Sequence, residues 1–252
     1  MSRREWSYDR IADVYAADMG ASMAFDDVGW FRRQCQRRGG RVLELGCGTG
    51  RVMLPLLADG IDIIGIDRSL PMLQRLQAEA RARGLAPNVA QMDLQALALD
   101  ARFALILAPY SLVTYLPGKD DLNDWTASMV PLLETGGALI LDAFVPRAVR
   151  AGETFQPDYA RPFGDGTLER GKRVQALADG RNRIERRYRL VDPGGDVREE
   201  FSTVDVIRSR APAELVEALE RAGLQVEQAA WDYGASTSVH SAQFHTVVGV
   251  KA

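Results

Sequence analysis

Cysteine and histidine are scarce in this sequence of 252 residues, which contains two of each. They are Cys35, Cys47, His240 and His245. Two isolated cysteines do not make a disulfide framework, and no local Cys/His spacing matches a zinc site. We therefore expect no bound metal ion and no fold that depends on disulfides.

Long hydrophobic runs and an excess of one charge are also missing. No apolar stretch approaches the roughly 20 residues that cross a bilayer, and the N-terminal sequence MSRREWSYDR has no apolar segment behind its charges. We expect a cytoplasmic protein that stays out of membranes. The 34 acidic residues nearly balance the 31 basic ones, and a net charge of −3 gives no general attraction to nucleic acid. The expected partner is a small molecule, and the chain is expected to be a monomer or a homodimer.

Strand-length apolar runs alternate with helix-length segments through the first 145 residues, which is typical of a parallel sheet covered on both faces. The pattern predicts strands at Arg41–Leu45, Asp62–Ile66, Asn88–Met92, Phe103–Leu107 and Ala138–Phe144. It predicts helices at Gly50–Asp59, Leu70–Arg83 and Asp120–Leu133. Ser69 and Gly84 are expected to cap the second of these helices, and Pro55 is expected to kink the first.

The pattern changes after Phe144. Turn signals at DGRN and DPGGD separate runs of alternating polarity, which predicts three antiparallel strands. The basic run RNRIERRYRL fits a solvated strand face better than a nucleic-acid surface. A helix at Pro212–Ala222, a strand at Leu224–Trp231 and a last strand in QFHTVVGVKA are predicted to follow.

The stretch VLELGCGTGRV, from Val42 to Val52, places three glycines directly after an apolar run. Such a loop turns tightly and brings bare backbone close to a ligand. A dinucleotide fingerprint needs a small residue at the position that Arg51 occupies, so a pyrophosphate site is disfavoured.

With Glu44 two residues before the first glycine, the loop resembles the first motif of the class I S-adenosylmethionine-dependent methyltransferases. Asp67 ends the second predicted strand, where the resemblance implies hydrogen bonds to both ribose hydroxyls, and Asp93 ends the third, where it implies a contact with the adenine amino group. Taken singly, each of these acids also fits an ordinary capping, turn or ion-pair role. Ligands of open parallel sheets bind beyond the carboxyl ends of the strands, where all three acids lie.

The resemblance implies an α/β fold with a Rossmann-like, seven-stranded, mostly parallel sheet, an antiparallel β insertion after strand 5 and an N-terminal helical lid. It implies one methyltransferase domain over residues 1–252, with the lid at 1–38, the cofactor-binding core at 39–145, the antiparallel cover at 146–210 and the last helix and strands at 211–252. The cofactor residues that it implies are Tyr15, Glu44, Gly46, Cys47, Gly48, Gly50, Asp67, Arg68, Met72, Met92, Asp93, Leu94 and Ala108.

The acceptor is expected at the end of the fourth strand, where APYS resembles the family's substrate-facing motif. Ala108 stands where nucleic-acid amino methyltransferases have Asp or Asn, which disfavours a base in nucleic acid as the substrate. The N-terminal stretch resembles the lid of small-molecule methyltransferases, and Tyr8 is expected to orient the acceptor, although a buried helix face would also explain Tyr8 and Tyr15. The predicted acceptor residues are Tyr8, Pro109, Tyr110, Tyr115, Trp231, Tyr233 and His240.

The antiparallel insertion resembles the cover of amino-sugar N,N-dimethyltransferases and of the azapteridine N-methyltransferase of toxoflavin biosynthesis. The leading hypothesis is methylation of a nitrogen on a small heteroaromatic natural-product intermediate, with S-adenosylhomocysteine as the second product. Methylation of an amino sugar, another amine or an oxygen is the alternative. A noncatalytic cofactor-binding module and a nicotinamide oxidoreductase are the remaining alternatives.

Overall fold

The computed structural model describes residues 7–20, 23, 25–116, 118, 120–147 and 154–252. The chain divides into two compact units. We call Phe25–Pro146 with Ser209–Ala252 the core unit, and Met1–Ala24 with Arg147–Arg208 the insertion unit.

The helices and strands are numbered in chain order. The helices are α1 Ser7–Ile11, α2 Tyr15–Gly20, α3 Asp27–Arg38, α4 Met53–Ala58, α5 Leu70–Ala82, α6 Asp121–Met129 and α7 Pro212–Arg221. The strands are β1 Val42–Leu45, β2 Ile63–Asp67, β3 Asn88–Gln91, β4 Phe103–Ala108, β5 Leu133–Phe144, β6 Gln156–Phe163, β7 Gly166–Ala176, β8 Arg181–Val191, β9 Val197–Arg208, β10 Leu224–Trp231 and β11 Phe244–Lys251.

The core unit contains a seven-stranded sheet in the order β10-β11-β5-β4-β1-β2-β3. Strands β1 to β5 pair in parallel, and β11 runs antiparallel to both of its neighbours. Every residue of β1 and β4 is buried, as expected for central strands covered on both faces. The predicted Rossmann-like sheet is therefore confirmed. The reversal of strand order between β1 and β4 brings the carboxyl ends of β1, β2 and β4 to one edge.

The helix after the glycine loop differs from the prediction. It begins at Met53 instead of Gly50, so Pro55 lies in the first turn of a six-residue helix. A first-turn residue has no intrahelical partner for its N–H, so proline costs little there, and the expected kink was wrong. The caps of α5 are as expected: the Ser69 hydroxyl accepts from the amide of Met72 at 3.3 Å, and Gly84 has a φ of 69° just past the helix.

The insertion unit contains a four-stranded antiparallel sheet in the order β6-β7-β8-β9, where three strands were expected. The additional strand, β6, contains Pro157 and Pro162. Proline cannot donate to a strand ladder and is normally confined to edge strands, which is where β6 lies. These two prolines explain why the sequence pattern did not predict β6. On strands β8 and β9, Tyr188 and Phe201 lie opposite each other with ring centroids 5.0 Å apart.

Helices α1 and α2 belong to the insertion unit, to which they are joined by buried polar contacts. Asp18 of α2 is 4% exposed and accepts from the Arg170 guanidinium at 2.6 and 2.7 Å. It also accepts from the Tyr159 hydroxyl, and in α1 the Ser7 hydroxyl donates to Asp205 of β9. No helix among the described residues has both the length and the apolar character to span a membrane.

Candidate cofactor and acceptor site

The glycine loop leaves β1 with a backbone that side chains would obstruct. Gly46, Gly48 and Gly50 have φ angles of 66°, 54° and 87°, in the region that glycine adopts without strain. A Cβ added to Gly46 would lie 2.9 Å from Leu112, and one added to Gly50 would lie 2.7 Å from Leu54. The Cys47 amide donates to Ile66 of β2 at 2.9 Å, which holds the loop against the neighbouring strand.

Glu44 is a deeply buried acid of β1, two residues before the glycine loop. It is 2% exposed, and its Oε2 atom has no hydrogen-bond partner among the described residues. Burial raises the pKa of this carboxyl to about 8, although the nearby Arg51 opposes the shift. Arg51 itself binds Asp27 through two hydrogen bonds of 2.9 and 2.7 Å. An unpartnered carboxylate oxygen beside a bare glycine loop fits a cationic ligand and suits the methionine end of S-adenosylmethionine.

Asp67 joins the glycine loop to the end of β2. Its two carboxylate oxygens accept from the amides of Gly48 and Ser69, both at 2.8 Å. The backbone carbonyl of Asp67 accepts from the Met92 amide at 3.0 Å, which brings the end of β3 alongside. Spacing in the sequence thus identified residues that the fold places together. The ribose contact assigned to Asp67 stays a prediction.

The residues after β3 form a half-buried turn. The Asp93 carboxylate accepts from the amide of Gln95 at 2.9 Å, and the carbonyl of Leu94 accepts from the Trp125 indole at 2.9 Å. The Met92 sulfur accepts from the Ala98 amide at 3.3 Å. This turn has the shape that an ordinary turn-forming aspartate would give it. The adenine contacts assigned to Met92, Asp93 and Leu94 therefore stay predictions.

Other predicted cofactor residues occupy varied positions. Met72 is 1% exposed in the first turn of α5, and Ala108 is fully buried as the last residue of β4. The Arg68 carbonyl accepts from the Gln91 side chain at 2.9 Å. The burial of Met72 and Ala108 is also what core packing requires, so their contacts with the cofactor remain predictions.

The acceptor motif after β4 has an uncommon backbone. Tyr110 and Ser111, which follow the buried Pro109, have φ angles of 57° and 58°. The left-handed region costs a residue other than glycine about 1–3 kcal/mol, so the surrounding structure must hold the turn. The amides of Tyr110 and Ser111 donate to the Asp142 carboxylate at 3.0 and 2.6 Å. Sequence reasoning missed Asp142, although a lone acid inside the apolar run ALILDAF was a signal for it.

Asp142 is fully buried on β5, and burial raises its pKa to about 6 against the opposing effect of its hydrogen bonds. It also accepts from the Tyr233 hydroxyl at 2.8 Å. Tyr233 and the preceding Asp232 have φ angles of 56° and 47°, so a second left-handed pair lies next to the first. The Asp232 carboxylate holds this pair by accepting from the amides of Gln243 and Phe244, each at 2.8 Å.

Aromatic side chains surround the acceptor motif. The Tyr110 ring lies 5.5 Å from Phe144 and 5.7 Å from Phe244, and the Arg51 guanidinium lies 5.7 Å from its centroid. Phe144 is 42% exposed, whereas Tyr233 is 5% exposed and packs against α3. Phe144 and Phe244 were not identified from the sequence, because their closeness depends on the pairing of β5 with β11.

The remaining predicted acceptor residues differ in burial and in the element that carries them. Tyr115 is half-buried at the end of a 3₁₀ turn, Trp231 is half-buried with its ring 6.0 Å from His245, and His240 is exposed. Tyr8 and Tyr15 lie in the insertion unit, where their rings meet edge to face at 5.9 Å. The acceptor roles of Tyr8, Tyr115, Trp231 and His240 and the cofactor role of Tyr15 remain predictions.

Comparison with known proteins agrees with this geometry. A family model described as a methyltransferase domain matches residues 42–137. The dTDP-3-amino-3,4,6-trideoxy-alpha-D-glucopyranose N,N-dimethyltransferase of Streptomyces venezuelae is 28% identical over 186 residues, which cover 74% of this chain and 76% of that protein. The chain spans 60% or less of several further curated relatives.

Two solved structures are similar over almost their whole length. The CcbJ methyltransferase from Streptomyces caelestis superposes with a TM-score of 0.77 at 26% identity, covering 98% of this chain and 99% of that one. CalS10 from Micromonospora echinaspora, described as an amino pentose methyltransferase with bound S-adenosylmethionine, gives a TM-score of 0.72 at 21% identity, covering 94% and 96%. The second similarity concerns the fold. With the glycine loop and the Glu44 oxygen that has no described hydrogen-bond partner, these matches show a chain that contains a methyltransferase domain and is similar to S-adenosylmethionine-dependent methyltransferases.

Proposed function

We propose that this protein methylates a nitrogen atom of a small natural-product intermediate, and that an amino sugar is the first acceptor to test. The observation that carries the proposal is the length of the match to the amino-sugar N,N-dimethyltransferase. That match covers about twice the residues of the cofactor-binding family match. It therefore takes in segments outside the cofactor core, where a methyltransferase recognises its acceptor.

A planar heteroaromatic nitrogen, as in a toxoflavin-type azapteridine, is the second candidate. The aromatic edge formed by Tyr110, Phe144 and Phe244 favours it, because a flat ring stacks on such side chains. In either case we propose that Tyr8 orients the acceptor, together with Pro109, Tyr110, Tyr115, Trp231, Tyr233 and His240.

Bound S-adenosylmethionine supplies an electrophilic methyl group on a sulfonium. In the proposal Glu44 balances the positive charge of its methionine end, the backbone of Gly46 to Gly50 admits it, Asp67 holds the ribose and Asp93 holds the adenine. The acceptor nitrogen needs a free lone pair. Burial lowers the pKa of His245 to about 4, which makes it a weak base, so we propose that the acceptor loses its proton to solvent.

The test is incubation with methyl-labelled S-adenosylmethionine and matched acceptors, followed by mass spectrometry. The panel contains a nucleotide-activated amino sugar, the same sugar with a hydroxyl in place of the amine, and an azapteridine with a ring N–H. Label on the amino sugar but not on its hydroxyl analogue supports the first candidate, and label on the azapteridine alone supports the second. Label on the hydroxyl analogue would overturn the proposal of nitrogen methylation.

A further inference from the structure

We infer that Asp142 is a positioning residue for the methyl acceptor, acting through the Tyr110–Ser111 turn and the Tyr233 hydroxyl. The inference rests on the proposed function for its kinetic consequences. Its structural part stands on the contacts of this single carboxylate. Asp142 does not need to touch either substrate for this role.

The carboxylate of Asp142 accepts from two backbone amides and from one side-chain hydroxyl. One oxygen, Oδ2, accepts from the Tyr110 amide at 3.0 Å and from the Tyr233 hydroxyl at 2.8 Å, while Oδ1 accepts from the Ser111 amide at 2.6 Å. Both Tyr110–Ser111 and Asp232–Tyr233 are left-handed pairs. One buried acid therefore connects the two turns: it accepts from both amides of the first turn and from the Tyr233 hydroxyl of the second, which Asp232 also holds.

A second hydrogen bond fixes the first turn to β5. The Ser111 hydroxyl accepts from the Phe144 amide at 2.6 Å, two residues beyond Asp142. The exposed aromatic Phe144 is thus aligned with Tyr110 by the same local arrangement. Asp142 and Ser111 together determine the relative placement of both rings.

The turn also contacts the cofactor side of the core unit. The Tyr110 ring lies 5.7 Å from the guanidinium of Arg51, which is the residue after Gly50 and is held in place by Asp27. Tyr110 consequently lies between the glycine loop and the aromatic edge. An acceptor has to be aligned with the cofactor within a fraction of an ångström, so the residue that sets this turn also sets the alignment.

A carboxylate suits this task better than a neutral side chain. All three of its partners are donors, and only an ionised acid accepts from all three without presenting a competing N–H or O–H. An asparagine at this position would retain one accepting oxygen and direct its amide NH₂ at a donor. The Asp142→Asn variant is therefore nearly isosteric and still disrupts the turn.

Amide hydrogen exchange tests the structural part without any acceptor. Asp142→Asn is expected to speed exchange at Tyr110 and Ser111 by about tenfold or more, while exchange in the Gly46–Gly50 loop and the affinity for S-adenosylhomocysteine stay within about twofold. The matched control is Thr246→Val. Thr246 lies directly opposite Asp142 on β11, is equally buried and does not bond the turn. Unchanged exchange at Tyr110 and Ser111 in Asp142→Asn would overturn the inference.

Steady-state kinetics test the functional part with an acceptor found in the panel above. Asp142→Asn is expected to raise the acceptor KM by about 10- to 100-fold with a smaller change in kcat, and Tyr233→Phe, which removes one of the three donors, by a smaller factor. Thr246→Val is expected to leave both constants within about twofold. An equal loss of acceptor and cofactor affinity in Asp142→Asn would indicate general disruption and would also overturn the inference. If the wild-type protein methylates no nitrogen, the proposed function fails, and the exchange experiment still decides the role of Asp142.

Discussion

Protonation and folding are coupled at Glu44, because this acid is buried and one of its oxygens has no hydrogen-bond partner in the part of the chain that the structure describes. Its pKa is about 8 in the folded protein against an ordinary value of 4.5. Between these two values the folded state holds the proton more tightly than the unfolded state does. The free energy of unfolding should therefore fall as the pH rises through this window, by at most about 1.4 kcal/mol per pH unit for one group.

Replacing Glu44 by glutamine should remove this dependence from the ligand-free protein. Urea unfolding near pH 5 and near pH 8 would measure it, and the stability of Glu44→Gln relative to the wild type should increase with pH. The same pH slope in both proteins would show that Glu44 does not titrate in this window.

Cofactor binding should release a proton from the same residue. The ammonium of the ligand's amino-acid end favours the ionised carboxylate and lowers its pKa, so affinity for S-adenosylhomocysteine should rise between about pH 6 and pH 8. Calorimetry in two buffers of different ionisation enthalpy measures the released proton. Glu44→Gln should release none, and equal release by the variant would contradict the placement of the ammonium beside Glu44.

The position of Asp67 at the carboxyl end of β2 predicts that this residue binds the ribose of the cofactor. Asp67→Asn is expected to weaken S-adenosylhomocysteine binding at least about tenfold, since it removes a charged acceptor from two backbone amides and from the expected ribose hydroxyls. Asp62→Asn is the control, because Asp62 precedes the opposite end of β2 and pairs with the exposed Arg41. Equal losses in the two variants, measured by calorimetry, would contradict the ribose assignment.

At the scale of elements, the glycine loop depends on both backbone conformation and packing. Gly50 and Gly84 both have positive φ angles, but only Gly50 is surrounded, by Leu54 and Leu76 at 2.7 and 2.9 Å from an added Cβ. Gly84→Ala should therefore cost about 1–2 kcal/mol of backbone strain, and Gly50→Ala about 1–3 kcal/mol more from overpacking. Chemical denaturation measures the difference. Equal costs would mean that the loop shifts to accommodate the methyl group.

The contact between α2 and the insertion sheet should be weakened by substitution of Asp18. Asp18→Asn weakens the hydrogen bonds from the Arg170 Nη1 atom but leaves Arg170 paired with Asp158, so it should cost about 1–3 kcal/mol. Hydrogen exchange across residues 15–20 should accelerate in this variant. Arg198→Gln, which breaks the exposed pair with Asp165 in the same unit, should leave that segment unchanged.

At the scale of the whole molecule, sequence reasoning recovered what is encoded locally. The five parallel strands were predictable because strand length and strand ends are properties of short segments, whereas the cofactor roles of Glu44, Asp67 and Asp93 stay predictions. The hydrogen bonds of Asp142 were not predictable from the sequence, because its partners lie 31, 32 and 91 residues away in the chain. Strand β6 was missed because its two prolines argue against a strand wherever its edge position is unknown.

Binding of the cofactor product should raise the thermal stability of the protein. S-adenosylhomocysteine at about 100 times its dissociation constant should stabilise the protein by about 2.7 kcal/mol, or roughly 5–10 °C in a chain of this length, whereas NAD should give no shift. Differential scanning fluorimetry makes the comparison. A shift with NAD and none with S-adenosylhomocysteine would contradict the cofactor assignment.

The ion pair between Asp18 and Arg170 also imposes an order on biosynthesis. The two residues are 152 positions apart, so Asp18 leaves the ribosome long before the strand that carries its partner. At about 5–20 residues per second, roughly 8–30 seconds separate the synthesis of the two residues. Helix α2 can therefore make this contact only after β7 has been translated.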